Sequence, residues 1–339
     1  MKKKYGGLIL EKMKPLEQEF GGMTAIPKIH LFKDGNAIPY LPEEEKQIGV
    51  YFDTWGCVSF SNLNCVETVS HRMLPKFRKE NREWLLKNFY KNDRPNFSNR
   101  DLVVLSGTEI GRGNTARQVL ETVQQIGVIP EEKEPWDFTS RDPEVNIPEV
   151  YYAYSRTEAS NQIAREFNKR FKILGERVAQ PFWKEASQYG ALQVFVNAWY
   201  LDDDGKFFNP TGNHNHAVQM ADYNTVRIFD TYKHNGSFLK TLSSWSDARW
   251  YAYKFNIIEK NMEKPKIENN TLVQTVTPNV AGSGQFGIYL DDQIIVGDEG
   301  KLSLTFFQRN NGDIKGRTLT LTKDDWDKFE KIDFSGNKI

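Results

Sequence analysis

Three residues of this sequence have the types and order that covalent catalysis by a cysteine requires. Cys57 directly follows Gly56, and far along the chain His216 precedes Asp230 by 14 positions. A thiolate is a strong nucleophile, a histidine exchanges protons with it, and a carboxylate orients the histidine ring. The set therefore indicates acyl transfer, provided that the fold brings the three side chains together.

The residues after Cys57 predict the element that positions it. Apolar side chains recur there at steps of three and four, which is typical of one face of a helix. They are Phe60, Leu63, Val66, Val69 and Met73. The pattern predicts a helix from Cys57 to about His71, whose first turn offers free N–H groups and a positive dipole end to a thiolate. Cys65, on the same helix, is interpreted as a small buried apolar residue.

These residues also carry a resemblance to a family. Residues 57–61 read Cys-Val-Ser-Phe-Ser, with Glu67 ten positions after the cysteine, and this is similar to the active-site helix of papain-like cysteine peptidases. The family has Cys-Trp-Ala-Phe-Ser there, so Val58 replaces its tryptophan. Residues 215–218 read Asn-His-Ala-Val and resemble the family's histidine motif, while Asp230 takes the place of its orienting asparagine.

The resemblance implies an α+β, papain-like two-lobe fold, with a helical left lobe and an antiparallel β right lobe. It covers the predicted catalytic domain, residues 46–260, and implies Cys57, His216 and Asp230 as the triad. An N-terminal arm occupies 1–45, where glycines and prolines interrupt regular elements, and a short pro-segment is the alternative there. A polar linker at 261–282 leads to a small β-rich C-terminal appendage at 283–339, which the resemblance does not cover.

Two further site predictions follow from the resemblance. The family's oxyanion-stabilising glutamine stands six residues before the cysteine, where this chain has Tyr51, so Gln47 is the candidate, with a solvated loop glutamine as the alternative. The glycine-rich loop at 111–115 lacks the Walker lysine pattern of phosphate-binding loops. The resemblance makes Arg112 and Gly113 candidate cleft-wall residues, and an ordinary loop before a helix is the alternative.

Other elements are predicted from pattern. Residues 72–97 contain an amphipathic helix, Ser98 caps the next one, a helix follows the loop at 111–115, and residues 157–174 form another. Residues 190–199 and 226–232 predict strands, and a turn at 223–225 places His216 and Asp230 near one end of a sheet. In the C-terminal unit, strands are predicted at 286–290, 293–296, 301–308 and 317–321, and a short helix at 324–332.

Composition narrows the class of protein. The 339 residues carry 45 basic and 45 acidic side chains, so no nucleic-acid partner is indicated, and no apolar run is long enough for a membrane span. Glu11 and Lys12 interrupt the N-terminal apolar run, so no signal peptide is predicted. Cys57 and Cys65 project about 80° apart on one helix, which predicts no disulfide and a reducing, cytoplasmic location.

The predicted function is a cysteine peptidase that acts on a protein or peptide and needs no cofactor. His214 and His216 leave zinc as an alternative, but no Cys/His set with structural zinc spacing accompanies them, so no metal is predicted. A disulfide-free chain with an aspartate in third place resembles the versions of bacterial viruses, which implies virion maturation or assembly, virion partners for the C-terminal unit, and a location in host cytoplasm or virion. A papain-fold binding protein of the virion with little catalysis and a cell-wall peptide hydrolase are the alternatives.

Overall fold

The computed structural model describes residues 7–9, 29–133, 135–198, 200–209 and 211–260, together with strands at 286–287, 302–310 and 313–321. Contacts along the chain divide it into two units, Met1–Lys260 and Asn261–Ile339. The structure mixes helices and sheets. The first unit carries all of the candidate site residues.

The helices of the first unit precede its main sheet in the chain, except for the last of them. They are α1 Cys57–Met73, α2 Lys79–Phe89, α3 Asn99–Leu105, α4 Ala116–Ile126, α5 Pro148–Tyr152, α6 Glu158–Arg170 and α7 Trp183–Ala186. Three of their starts have side-chain caps, because Ser98, Thr115 and Thr157 each accept a hydrogen bond from a main-chain N–H three residues further on. The predicted capping serine and the helix after the glycine-rich loop are therefore confirmed.

The strands of the first unit form an antiparallel sheet and short pairs. They are β1 Tyr90–Lys91, β2 Arg94–Pro95, β3 Phe171–Ala179, β4 Ala191–Val196, β5 Tyr200–Leu201, β6 Phe207–Phe208, β7 His216–Asp222, β8 Arg227–His234, β9 Ser237–Thr241 and β10 Tyr251–Glu259. The main sheet has the order β3, β10, β4, β7, β8, β9, while β1 pairs with β2 and β5 with β6. Because β7 and β8 are neighbours, the strand that begins with His216 lies beside the strand that contains Asp230.

Helix α1 is the central element of the first unit. It contacts helices α3 and α4 and strands β4, β7 and β10, and 15 of its 17 residues are buried. The prediction of one apolar face was too narrow, because the sheet also covers polar positions of the helix. Gln193 of β4 donates to Ser61 Oγ at 2.7 Å, and Gln219 of β7 donates to Thr68 Oγ1 at 2.8 Å. Amide side chains of the sheet thus satisfy hydroxyl groups that the helix buries.

The predicted helix at 157–174 was wrong in its last residues. Helix α6 ends at Arg170, and the chain continues directly as β3, which pairs with β10 over nine residues. Phe171 and Ile173 are buried and Lys172 between them is exposed, which is the alternation of a strand. Pairing with the long neighbouring strand β10 therefore makes these residues a strand, although the residues before them are helical.

The second unit contains a three-stranded antiparallel sheet, formed by β11 Phe286–Gly287, β12 Leu302–Asn310 and β13 Asp313–Leu321. Strands β12 and β13 pair along their whole length. Three of the predicted strands thus correspond to observed strands. The strand predicted at 293–296, the helix predicted at 324–332 and the linker predicted at 261–282 lie outside the described residues.

Candidate active site

Cys57 is the first residue of α1 and is fully buried. Gly56 precedes it at the N-cap, and its N–H donates to Thr54 Oγ1 at 3.2 Å. A Cβ on Gly56 would lie 2.5 Å from Val103 Cγ2, so glycine allows this turn to approach helix α3. The local sequence thus places the thiol in a helical first turn, whose main-chain N–H groups have no partners within the helix.

His216 and Asp230 meet across the hairpin of β7 and β8. The His216 Nε2 and Asp230 Oδ1 atoms are 2.7 Å apart, and both side chains are fully buried. The two strands pair through Gln219 opposite Phe229, with the turn between Asp222 and Arg227. The predicted hairpin is confirmed, and it brings the side chains of His216 and Asp230 together.

Cys57 and Asp230 together determine the protonation of His216. Burial alone lowers the pKa of the imidazole, but Asp230 and then Cys57 oppose this through charge and hydrogen bonds, and they raise the pKa of His216 to about 9. Since Nε2 is bonded to Asp230, Nδ1 is the ring nitrogen left for Cys57. Cys57, His216 and Asp230 are therefore neighbours in one buried group, and the imidazole carries a proton at neutral pH.

Asp230 has a second charged partner, Lys240 of β9, which sequence analysis did not identify. Lys240 Nζ donates to Asp230 Oδ2, and the lysine is buried. Burial raises the pKa of Asp230, but Lys240 and then His216 outweigh it and hold that pKa below its usual range. With a Cys57 thiolate and a His216 imidazolium, the charges of the four groups sum to zero. The alternation of buried and less buried residues along β9 could have indicated that Lys240 is buried, because Lys240 shares the buried face of this strand with Phe238.

Tyr232 supports the histidine from the side. Its ring centroid is 4.9 Å from that of His216, at an interplanar angle of 34°. Its hydroxyl donates to Asp53 Oδ2, and Asp53 Oδ1 accepts from the N–H of Trp55 at 2.8 Å. Tyr232 therefore connects the strand of Asp230 to the loop that leads into Cys57, which fixes the distance between the two halves of the site.

The predicted oxyanion residue Gln47 is buried in this same connection. Its Nε2 donates to Tyr232 Oη at 2.7 Å and to Asp53 Oδ1 at 3.1 Å, while its Oε1 accepts from Thr231 Oγ1 at 2.6 Å. Both amide protons thus have acceptors within the protein. The alternative of a solvated loop glutamine is wrong, and the role of Gln47 toward an oxyanion stays a prediction.

The two predicted cleft-wall residues differ in their surroundings. Arg112 is exposed, and its Nη1 lies 3.0 Å from Glu109 Oε2. Gly113 has φ +89°, and the position of a Cβ on it is occupied by the main chain of Gly7. The structure therefore brings Gly113, and not the side chain of Arg112, against another segment of the chain.

The two histidines of the zinc alternative have different partners. His214 Nε2 is 3.1 Å from Asn209 Nδ2, whereas His216 is bonded to Asp230. Within the described ranges, no group of three or more His, Cys, Asp or Glu side chains suits a metal ion. In the same part of the chain, no helix combines the length and the apolar character needed to span a bilayer.

Comparisons with known proteins give distant structural likenesses. No family model and no curated protein matches this chain. Among solved structures, the digestive procathepsin L 3 from the larval midgut of Tenebrio molitor is similar with a TM-score of 0.42 and 14% sequence identity, over 69% of this chain and 74% of that chain. A TM-score of this size does not assign a fold, so function is inferred from the site itself.

Proposed function

We propose that this chain is a cysteine peptidase with a papain-like two-lobe catalytic domain, in which Cys57 is the nucleophile. The supporting observation is the buried row of Cys57, His216 and Asp230, contributed by the start of a helix and by two neighbouring strands. A protonated imidazole beside a thiol is the arrangement that activates a cysteine at neutral pH.

The reaction follows from these roles. The Cys57 thiolate attacks the carbonyl carbon of a peptide bond, a C–S bond forms, and the carbonyl oxygen becomes an oxyanion. Main-chain N–H groups of the first turn of α1 stabilise that charge. His216 then gives its proton to the nitrogen of the leaving amine as the C–N bond breaks, and Asp230 holds the ring in place.

Water completes the turnover. His216, now neutral, takes a proton from the water molecule that attacks the thioester carbon. The C–S bond breaks, the carboxylic acid leaves, and the thiolate and imidazolium return. Lys240 keeps Asp230 ionised through both steps, so the histidine always has an acceptor for its Nε2 proton.

Cleavage assays with the full-length protein test the proposal. Wild type, Cys57→Ala and Cys65→Ala are incubated with an unfolded protein and, separately, with purified cell-wall peptides, and the fragments are identified by mass spectrometry. Wild type and Cys65→Ala are expected to produce the same fragments, and Cys57→Ala none. Identical fragments from Cys57→Ala, or no cleavage of either substrate by wild type, would contradict the proposal.

The two substrates separate the proposed activity from an alternative. Cleavage confined to the cell-wall peptides would assign the same chemistry to a peptidoglycan hydrolase. Cleavage of the unfolded protein supports the peptidase, because a narrow wall-specific cleft does not accept unrelated sequences.

A further inference from the structure

The chain places a short segment of its own next to the catalytic residues. Residues 7–9 lie between Asn114 and Asn215 and are bonded to both through main-chain atoms. The N–H groups of Gly7 and Leu8 donate to Asn215 O at 3.0 and 3.1 Å. The N–H of Ile9 donates to Asn114 O, and the N–H of Asn114 donates to Gly7 O, both at 2.8 Å. An extended peptide is bound in this way when affinity comes from its main chain.

Residues 7–9 lie in a groove formed by the segments of Asn114, Asn215 and Trp55, and two of these segments lead directly to His216 and Cys57. Asn215 immediately precedes His216, and Trp55, which touches Gly7, stands two residues before Cys57. Leu8 forms a parallel bridge with Asn114 and packs, half-buried, against the main hydrophobic core. Residues 7–9 therefore occupy the position that a peptide substrate of Cys57 has to enter.

The groove is narrow at Gly7, because main-chain atoms lie close to this residue on two sides. A Cβ on Gly7 would lie 1.9 Å from the carbonyl oxygen of Trp55, and a Cβ on Gly113 would lie 1.8 Å from the carbonyl oxygen of Gly7. Neither obstacle is the end of a flexible side chain that could rotate away. Trp55 itself has a φ of 56°, and its N–H is held by Asp53 at 2.8 Å, so its carbonyl is fixed in place.

From this geometry we infer that the cleft accepts glycine, and no larger residue, at the position of Gly7. The substrate class is a protein or peptide segment with glycine there, followed by an aliphatic residue in the position of Leu8. Residues 7–9 satisfy this rule within the same chain, so they compete with such substrates. This inference rests on the proposed function, because it assigns the specificity of the same site.

The tethered segment gives the inference a direct test in the full-length protein. Wild type, Gly7→Ala and the control Gly205→Ala are alkylated with iodoacetamide, and Cys57 is quantified by peptide mass spectrometry. Gly205 has open space around it in the turn between β5 and β6, and its φ of +75° limits the strain of an alanine to that turn, so the control matches the change of residue type without altering the groove. A tethered segment competes at an effective concentration near millimolar, so Gly7→Ala is expected to react about tenfold faster than wild type, and the control at the wild-type rate.

Peptides supply the second measurement. A synthetic peptide with the sequence of residues 5–10, Tyr-Gly-Gly-Leu-Ile-Leu, is expected to protect Cys57 of the Gly7→Ala protein from alkylation. The same peptide with alanine at the position of Gly7 is expected to give no protection at equal concentration. If Gly7→Ala does not fold, both peptides are compared as competitors of alkylation in wild type at higher concentration.

Two results would overturn the preference for glycine. The first is equal protection of Cys57 by the two peptides, and the second is a folded Gly7→Ala protein whose Cys57 is alkylated at the same rate as in wild type. Neither result depends on cleavage. If Cys57 alkylation still requires His216, such a result removes the specificity and leaves the peptidase proposal intact. If Cys57 reacts in the same way without His216, the proposed function itself fails.

Discussion

The two halves of helix α1 both bury ionisable groups, but they differ in the charged neighbours that these groups meet. At its start, Cys57 lies beside His216 and helps to raise its pKa, and His216 is hydrogen-bonded to Asp230. Further along, burial raises the pKa of the Cys65 thiol, and nothing else acts on it appreciably. Burial also raises the pKa of Glu67, which favours the neutral acid. The start of the helix therefore meets the charged groups His216 and Asp230, whereas burial disfavours charge further along it.

The difference shows that burial alone does not decide the charge of the groups around α1. A buried group becomes neutral unless partners of opposite charge or hydrogen-bond donors hold it ionised. At the start of α1, those partners arrive from β7, β8 and β9. At Glu67, the N–H of Phe97 at 2.5 Å favours the anion, but burial together with the nearby Glu131 and Glu43 outweighs it.

The largest expected difference between the two ends is catalytic. Cys57→Ala removes the proposed nucleophile and is expected to lower kcat/KM for peptide cleavage by on the order of 10⁴-fold or more. Cys65→Ala only trims a buried side chain and is expected to change kcat/KM by less than about twofold, at a stability cost of about 1 kcal/mol. Equal losses of kcat/KM in Cys57→Ala and Cys65→Ala would contradict a catalytic role that belongs to Cys57 alone.

The charge balance of the reactive end is tested by Lys240→Met. Removing the lysine leaves the Asp230 carboxylate buried with one partner fewer, which is expected to lower the free energy of unfolding by about 3 kcal/mol. The double variant Asp230→Asn/Lys240→Met removes both charges and is expected to recover part of that loss. Urea unfolding of wild type, Asp230→Asn, Lys240→Met and the double variant measures this cycle, and losses that simply add would show that the pair is not coupled.

The proton on His216 predicts an upper limit to the working pH range. Its pKa of about 9 means that the ring loses its proton as the pH rises through that value, and with it the acid that protonates the leaving amine. Cleavage is expected to fall about tenfold from pH 8 to pH 10, as kcat/KM across pH reports. In Asp230→Asn the fall is expected at lower pH, because the carboxylate is the largest influence that raises this pKa. If kcat/KM of Asp230→Asn falls at the same pH as that of wild type, Asp230 does not raise the pKa of His216.

At the neutral end, Glu67→Gln is expected to give the smallest effect. The folded state holds this carboxyl group protonated, so the free energy of unfolding of wild type falls as the pH rises above the ordinary value near 4.5. Glutamine keeps an acceptor for the N–H of Phe97 and carries no charge. The variant is expected to match wild type at pH 4 and to be more stable at pH 8 in thermal unfolding. A more stable wild type at pH 8 would contradict a neutral Glu67.

Sequence patterns predicted the parts of the site that depend on local order. The helix that begins at Cys57 followed from its apolar spacing, and the hairpin of His216 and Asp230 followed from two strands and a short turn between them. Lys240 and Tyr232 were missed, because their contacts depend on how β8 and β9 pair and face the loop before Cys57. No spacing within one segment reveals such contacts.

The errors in the fold have the same origin. Strand β3 was assigned in part to a helix, because its pairing with β10 joins residues far apart in the sequence, such as Phe171 and Glu259, which are 88 positions apart. The contacts that cover the polar side of α1 were not predicted, because Gln193 and Gln219, which bond to its hydroxyl groups, lie far along the chain. The domain boundaries, the viral context, the location and the partners of the C-terminal unit stay predictions.

The pH dependence of alkylation at Cys57 tests the central claim most directly. Iodoacetamide rates are measured for wild type and His216→Ala from pH 5.5 to 9.5, with Cys65 as the internal reference, and each profile is scaled to its own maximum so that access to the groove cancels. In wild type, Cys57 is expected to keep most of its reactivity at pH 6. In His216→Ala, its rate is expected to fall on the order of a hundredfold between pH 8.5 and pH 6, following an ordinary thiol. Coincident profiles in the two proteins would contradict an ion pair between Cys57 and His216.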